Sequence, residues 1–226
     1  MCGRKTLTKD KREIIEAYDV AEENWQNSYK YEPSYNIAPT DESPILVAEG
    51  DRYIQFMRWG LIPFWSDDES IGQKMINARS ETLQEKRSFK NLLKTNRCIV
   101  ISDGFYEWKG QKGAKQPYYM RKPDHGFLSM AGLWSQWKSQ DNRVVNSYTI
   151  ITTPPAPNIE DIHNRMPAIL QQNNIESWLD ADNSVEDALS LLKPYQGLEY
   201  YPVSKYVNST KNNSPKCIQK TPQLFN

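Results

Sequence analysis

Charge imbalance, paired cysteines and long apolar runs are all missing from this sequence. Its 226 residues carry 28 Lys+Arg against 28 Asp+Glu, so the strongly basic balance of many nucleic-acid domains is absent and any such contact needs a local patch. The three cysteines, Cys2, Cys98 and Cys217, are odd in number and far apart. That excludes a zinc knuckle or a C-x-x-C redox pair and argues against a disulfide scaffold. No apolar run approaches the roughly 20 residues of a membrane helix. The opening Met1-Cys2-Gly3-Arg4 runs straight into charged residues instead of a signal peptide. The expectation is a soluble, cytoplasmic protein with no membrane partner. Repeats, low-complexity tracts and linkers are lacking too, so one domain is expected over residues 1–226. Neither a cofactor nor a metal is expected.

What is present is a globular composition, with seven Trp, thirteen Tyr and six Phe, against intrinsic disorder. Thr8 to Val20 places Ile14, Ile15 and Tyr18 at helical spacing. Tyr35 to Asp51, punctuated by Pro39, Pro44 and Gly50, reads as loop, and Tyr53 to Trp59 as a strand ended by Gly60 and Pro63. Thr82-x-x-Glu85 ahead of Phe89, Leu92 and Leu93 has the form of a capping box opening a helix. Cys98 to Ile101, Pro117 to Arg121, Phe127 to Trp134 and Val144 to Thr153 read as strands at hairpin-like spacing. Pro154, Pro155 and Pro157 close the last of them. Ile175 to Leu179 and Val185 to Leu192 read as helices, and Glu199 to Val203 as a late strand. The fold class is α+β, with a mainly antiparallel, barrel-like sheet and flanking short helices.

Three places could carry chemistry. Trimming of Met1 exposes Cys2 as a 1,2-aminothiol, which condenses with an aldehyde to an imine and then closes a thiazolidine ring through sulfur. An α-amine has a pKa of about 7.7–8.0 against about 10.4 for lysine, so it is the better neutral nucleophile, and its ring closure is intramolecular. Glu107 lies among aromatics in Gly104-Phe105-Tyr106-Glu107-Trp108, where desolvation suits a carboxylate to general acid–base work. His163 follows the proline cluster as a possible proton shuttle, whereas His125 sits in a simple turn. The residues alone leave the plainer readings open: a disordered terminal cysteine, a solvent-facing strand glutamate and a structural loop histidine.

Taken in order, Cys2-Gly3-Arg4, Tyr35-Asn36-Ile37-Ala38-Pro39, Trp59-Gly60-Leu61-Ile62-Pro63, Asn77-Ala78-Arg79-Ser80-Glu81-Thr82, Gly104-Phe105-Tyr106-Glu107-Trp108, Ile162-His163-Asn164-Arg165-Met166-Pro167 and Pro202-Val203-Ser204 resemble the SOS-response-associated peptidase (SRAP) family, from residue 2 to about residue 220. The resemblance implies a protein that shields abasic sites in single-stranded DNA through a covalent thiazolidine formed by mature Cys2. It implies that Asn77 positions the amine of Cys2, that Glu107 shuttles the proton in imine formation and reversal, and that His163 assists sugar ring opening. Arg4, Arg79 and Arg165 lie within two residues of these groups and are expected to bind phosphates, with Arg87 a weaker fourth. Trp65 and Pro39 offer faces for base stacking; Trp59 and Trp108 suit the core equally well. Ser66 stands where some relatives carry a second aromatic, and Met166 where others carry a second basic residue. The implied partner is single-stranded DNA with abasic sites, and replication-fork proteins are possible further partners. The chain is expected to act as a monomer, with weak abasic lyase activity and self-removal of Met1 possible.

Three other classes remain in play from sequence. A thiol peptidase would use Cys2 with His163, but no oxyanion hole is legible. An N-terminal-nucleophile amidohydrolase shares the Met-Cys-Gly start but not the later motifs. A non-covalent single-stranded DNA binding module needs the arginines and aromatics without Cys2.

Overall fold

Strands dominate, as the alternating and fully apolar runs dictate. The computed structural model describes residues 2–27, 30–111 and 113–221; Met1, whose removal the chemistry above requires, lies outside them. In chain order the strands are β1 (Lys5–Leu7), β2 (Ser34–Ile37), β3 (Glu42–Glu49), β4 (Asp51–Trp59), β5 (Asn77–Arg79), β6 (Arg97–Ser102) and β7 (Gly104–Lys109). Then come β8 (Gln116–Arg121), β9 (Leu128–Lys138), β10 (Val144–Thr153), β11 (Met166–Pro167), β12 (Ile169–Leu170) and β13 (Glu199–Pro202). The helices are short: α1 (Lys11–Tyr18), α2 (Arg87–Lys90), α3 (Leu92–Thr95), α4 (Ile175–Leu179) and α5 (Val185–Ser190).

Five strands close on themselves. β10 pairs with β4, β4 with β3, β3 with β6, β6 with β9, and β9 returns to β10, every pairing antiparallel except the parallel β10–β4 contact. Closure removes the exposed edges that an open sheet must protect. The α+β barrel expected from sequence is therefore present. Every residue of β6 is buried, and α4 seals that strand where Trp178 donates its indole N–H to the Cys98 carbonyl at 2.9 Å.

A second, antiparallel sheet runs β13-β8-β7-β1-β2. The N-terminal strand lies inside it, with Lys5 opposite Phe105 of β7 on one side and Ile37 of β2 on the other. A buried network fixes this arrangement. Thr6 Oγ1 and Thr8 Oγ1 each donate to the Asp103 carboxylate at 2.5 Å, and the Thr8 N–H does so at 2.8 Å. Next to it, a Cβ on Gly104 would fall 2.2 Å from the Tyr119 hydroxyl, so only glycine admits that ring. Leu7 and Phe105 of this sheet join Ile99 and Ile150 of the barrel in one hydrophobic cluster.

The structure corrects two expectations. The segment 35–51 is mostly strand, not loop. Pro44 lies in β3 opposite Phe56, whose N–H is donated away from β3 to Gln26 Oε1 at 2.7 Å. The β6 ladder begins only at Ile45. A residue without an N–H is tolerated at such an unladdered position. Second, Thr82 caps no helix: its carbonyl accepts from Glu85 and Lys86 in a turn, and α2 starts at Arg87 without a side-chain cap. The capping box that does form is Asp10 with Glu13 at the start of α1, whose Ile14 and Tyr18 are buried. Among the described residues no helix is long and apolar enough to cross a membrane.

Candidate active site

The place of Cys2 follows from strand register. With Lys5 opposite Phe105 and the Tyr106 N–H donated to the Arg4 carbonyl at 3.0 Å, the chain running back from β1 passes beside Glu107 and leaves Cys2 fully buried. Its thiol points at the Arg4 carbonyl, 3.8 Å away. Asn77, first residue of β5, donates its amide N–H to the Cys2 carbonyl at 2.7 Å. Its Oδ1 is buried and makes no hydrogen bond among the described residues.

The barrel strand β10 assembles the remainder. Its parallel pairing with β5 sets Asn77 beside Ile150 and Arg79 beside Thr152. Its antiparallel pairing with β11 sets Met166 against Thr153, so the turn before β11, carrying His163 and Arg165, meets the same end of the barrel. Gly60 lets the connection from β4 to β5 fold back on itself: at φ +118° it lies where a Cβ would be 2.6 Å from the Gly72 carbonyl oxygen. His163 Nε2 stands 3.9 Å from Glu107 Oε2, a gap that one water or one substrate oxygen can bridge. The other ring nitrogen, Nδ1, accepts the Arg165 N–H at 3.0 Å. Nδ1 also lies 3.2 Å from the Arg165 carbonyl, so the Arg165 backbone orients the ring.

Burial sets the protonation. Glu107, 3% exposed, is raised to about 7 by desolvation, so near neutral pH it exchanges a proton readily. Burial, with the Glu107 charge second, pushes the Cys2 thiol up to about 12. Burial likewise lowers His163 below its ordinary range. The pocket thus favours a neutral thiol, a neutral imidazole and a carboxyl group poised between its two forms.

The chain as a whole resembles known proteins. A family model described as SOS response associated peptidase (SRAP) matches residues 1–210. The chain belongs to the SRAP family. Abasic site processing protein YoqW of Bacillus subtilis is 43% identical over 224 residues, covering 97% of this chain and 99% of that protein. Abasic site processing protein HMCES of Xenopus tropicalis is 35% identical over 260 residues, covering 96% of this chain and 78% of that one. A solved structure from Bacteroides thetaiotaomicron has a TM-score of 0.85 at 30% identity, covering 98% of this chain and all of the other.

Cys2, Asn77, Glu107 and His163 converge in this SRAP chain from four separate stretches of sequence. The arginines differ among themselves. Arg79 is exposed. Arg4 is half-buried and donates to Asn36 Oδ1 at 2.6 Å and to the Val207 carbonyl at 2.9 Å, with its guanidinium 5.9 Å from the Trp108 ring. Arg165 is engaged by Glu81 through both ends of its fork, at 2.6 and 2.9 Å. Arg87 lies 4.5 Å from the centre of the Trp65 ring, and no hydrogen bond joins that pair to the Cys2 group among the described residues. Pro39 is half-buried in the turn between β2 and β3. Trp59 belongs to the core: it is fully buried, parallel to Tyr148 at 6.2 Å, and donates to the Ile76 carbonyl.

Sequence reading missed three polar groups. Lys5 is fully buried, donates to the Ile101 carbonyl at 3.1 Å and is lowered to about 8 by desolvation; a three-residue strand gives no signal for that. Asp103 read only as the end of a strand. Glu81 stood within a motif but drew no role, although a carboxylate four residues from Asn77 was the available clue. No group of three or more His, Cys, Asp or Glu among the described residues has the arrangement of a metal site.

Proposed function

We propose that this protein processes abasic sites in single-stranded DNA by forming a covalent thiazolidine through the amine and thiol of Cys2 after hydrolytic removal of Met1. The observation carrying this reading is the Cys2 backbone tied to Asn77 and laid along the strand of Glu107. The printed names of YoqW and HMCES supply the substrate class.

The ring-opened abasic sugar is an aldehyde. The Cys2 amine adds to its C1′ carbon to give a carbinolamine, which loses its hydroxyl as water and leaves an imine. Sγ then adds to the imine carbon while the thiol proton passes to nitrogen, closing the five-membered ring with one water released overall. Glu107, raised to about 7, donates the proton that lets hydroxide leave as water and takes one back on reversal. His163, 3.9 Å from Glu107, relays to the sugar ring oxygen the proton that the C1′ hydroxyl gives up as the ring opens to the aldehyde. The unpaired Asn77 Oδ1 suits an acceptor for the freed amine. Arg4, Arg79 and Arg165 hold flanking phosphates, Arg87 assists, and Trp65 and Pro39 offer stacking faces. With the amine intact, β-elimination from the imine gives a weak lyase activity.

A thiol peptidase is less well supported, because a thiol pushed to about 12 is the opposite of the standing thiolate such an enzyme uses. Incubation with a single strand bearing one abasic site tests the proposal. A band that survives denaturation and needs both the lesion and Cys2 is expected; cleavage of a peptide in trans without that band would replace the proposal with the peptidase.

A further inference from the structure

Glu81 lies on the short turn Ser80–Thr82 that continues β5, between two arginines assigned to phosphate. Its carboxylate oxygens accept from Arg165 Nη1 at 2.6 Å and Nη2 at 2.9 Å, the two-point geometry in which arginine binds a phosphate. Arg165 Nη2 also donates to the Thr152 carbonyl at 2.5 Å, and Arg165 Nε is buried. The outward donors of this guanidinium therefore face one acceptor, Glu81. The Arg165 hydrogen bonds in turn lower the Glu81 pKa, so the carboxylate is ionised at neutral pH. The side chains are unequally exposed, 11% for Arg165 and 48% for Glu81. The carboxylate is thus the solvent-facing member, placed where an incoming anion would arrive, and an ion pair open to water on that side is weak enough to exchange.

We propose that Glu81 is a built-in competitor that occupies the phosphate-binding fork of Arg165 and keeps undamaged single strands weakly bound. The inference rests on the DNA-binding reading above. Phosphates are identical along every strand, so arginines alone cannot tell a lesion from its surroundings. A carboxylate that must be displaced weakens every strand alike. The abasic site restores the balance through the covalent bond, which an undamaged strand has no aldehyde to form. Occupancy of undamaged strands is thereby held low, while an abasic strand, once joined covalently, stays bound despite the weaker phosphate contact.

The test is a double-mutant cycle read by fluorescence anisotropy on an undamaged single strand across a salt series. It uses wild type, Glu81→Gln, Arg165→Gln, the double variant, and Glu85→Gln as an exposed-charge control. Glu81→Gln is expected to bind about three- to tenfold tighter, and its log–log salt slope to steepen by about 0.7, the increment for one added phosphate contact. In the Arg165→Gln background the same change should have little effect, and Glu85→Gln should fall well short of it. Equal or weaker binding by Glu81→Gln overturns the proposal. So does equal tightening in both backgrounds, since that is bulk charge. Melting temperatures and the Glu81→Asp variant, which keeps the charge and should bind like wild type, separate a folding defect from lost competition. Crosslinking of the abasic strand by wild type is scored in parallel. An intact cycle without a crosslink removes the covalent reading and leaves the competition standing; a crosslink without the cycle does the reverse.

Discussion

The side-chain amide of Asn77 donates to the carbonyl oxygen of Cys2 across 2.7 Å, although 75 residues separate them in sequence. The bond ties the N-terminal segment of the smaller sheet to a strand held by the barrel. It fixes the second residue of the chain, a position that is ordinarily poorly ordered. Asn77→Ala should keep the fold and slow crosslinking by about 100-fold, the cost of roughly 1 Å of misplacement in a positioned reaction. Single-turnover kinetics beside a thermal melt checks this, and an unchanged rate would make the bond purely structural.

Glu107 gives a pH signature. Its carboxyl is raised from an ordinary 4.5 to about 7, with burial the largest cause. Between those values the folded protein holds a proton that the unfolded chain has released, so this group makes stability fall as pH rises through the window. Glu107→Gln lacks that cost. It should match wild type below pH 4.5 and become more stable above pH 7, by up to about 3 kcal/mol. Crosslink formation and reversal should both slow, and the inflection near pH 7 in the wild-type rate should disappear. Denaturant unfolding across pH and rate profiles measure the two parts.

Lys5 behaves oppositely. Desolvation lowers it from 10.5 to about 8, so the buried charge costs its full amount below pH 8, and the cost disappears between pH 8 and 10.5 as the unfolded chain also loses the proton. Stability from this group therefore rises with pH across that window. Lys5→Met should be more stable than wild type at pH 7 by about 2 kcal/mol, after loss of the Ile101 bond, and the advantage should shrink toward pH 10.5. A less stable variant at pH 7 would show that the ammonium is better satisfied than its single bond to Ile101 implies.

Salt dependence tests the arginines. In Glu81→Gln, where the Arg165 fork is released, Arg4, Arg79 and Arg165, with or without Arg87, should neutralise three or four phosphates, and the logarithm of the single-strand binding constant should fall with the logarithm of salt at a slope of about −2 to −3, with wild type about 0.7 shallower. A slope near zero would remove the arginines from DNA binding.

The barrel was legible wherever a strand announced itself by an apolar run. Val144 to Thr153 is the strand expected, to the residue, because three prolines after it leave no other reading. Segment 35–51 was not legible, since Pro44 looks like a breaker until the missing ladder bond beside it is known. Nor was the interior position of β1. Lys5-Thr6-Leu7 is too short to show a period, and it is held by Asp103, nearly a hundred residues away. The candidate site was legible as separate motifs, while the electrostatic pairings within it came from tertiary contacts. Glu81 on Arg165 follows from the meeting of β5, β10 and the turn before β11, and the buried ammonium of Lys5 from the packing of β1 against β6; no local window contains either.

Cys2→Ser separates the two bonds of the proposed ring. The variant keeps the amine, so a Schiff base should form and be trapped by borohydride, but without sulfur the stable ring should not close. The most direct measurement joins wild type to this variant: purified protein of known intact mass, one abasic site in a single strand, and a denaturing gel with and without borohydride. The account predicts that wild type lacking Met1 gives a heat-stable band without reductant, and that Cys2→Ser gives one only with it. A wild-type protein with Cys2 at its free terminus that gives no band on the abasic strand would contradict it.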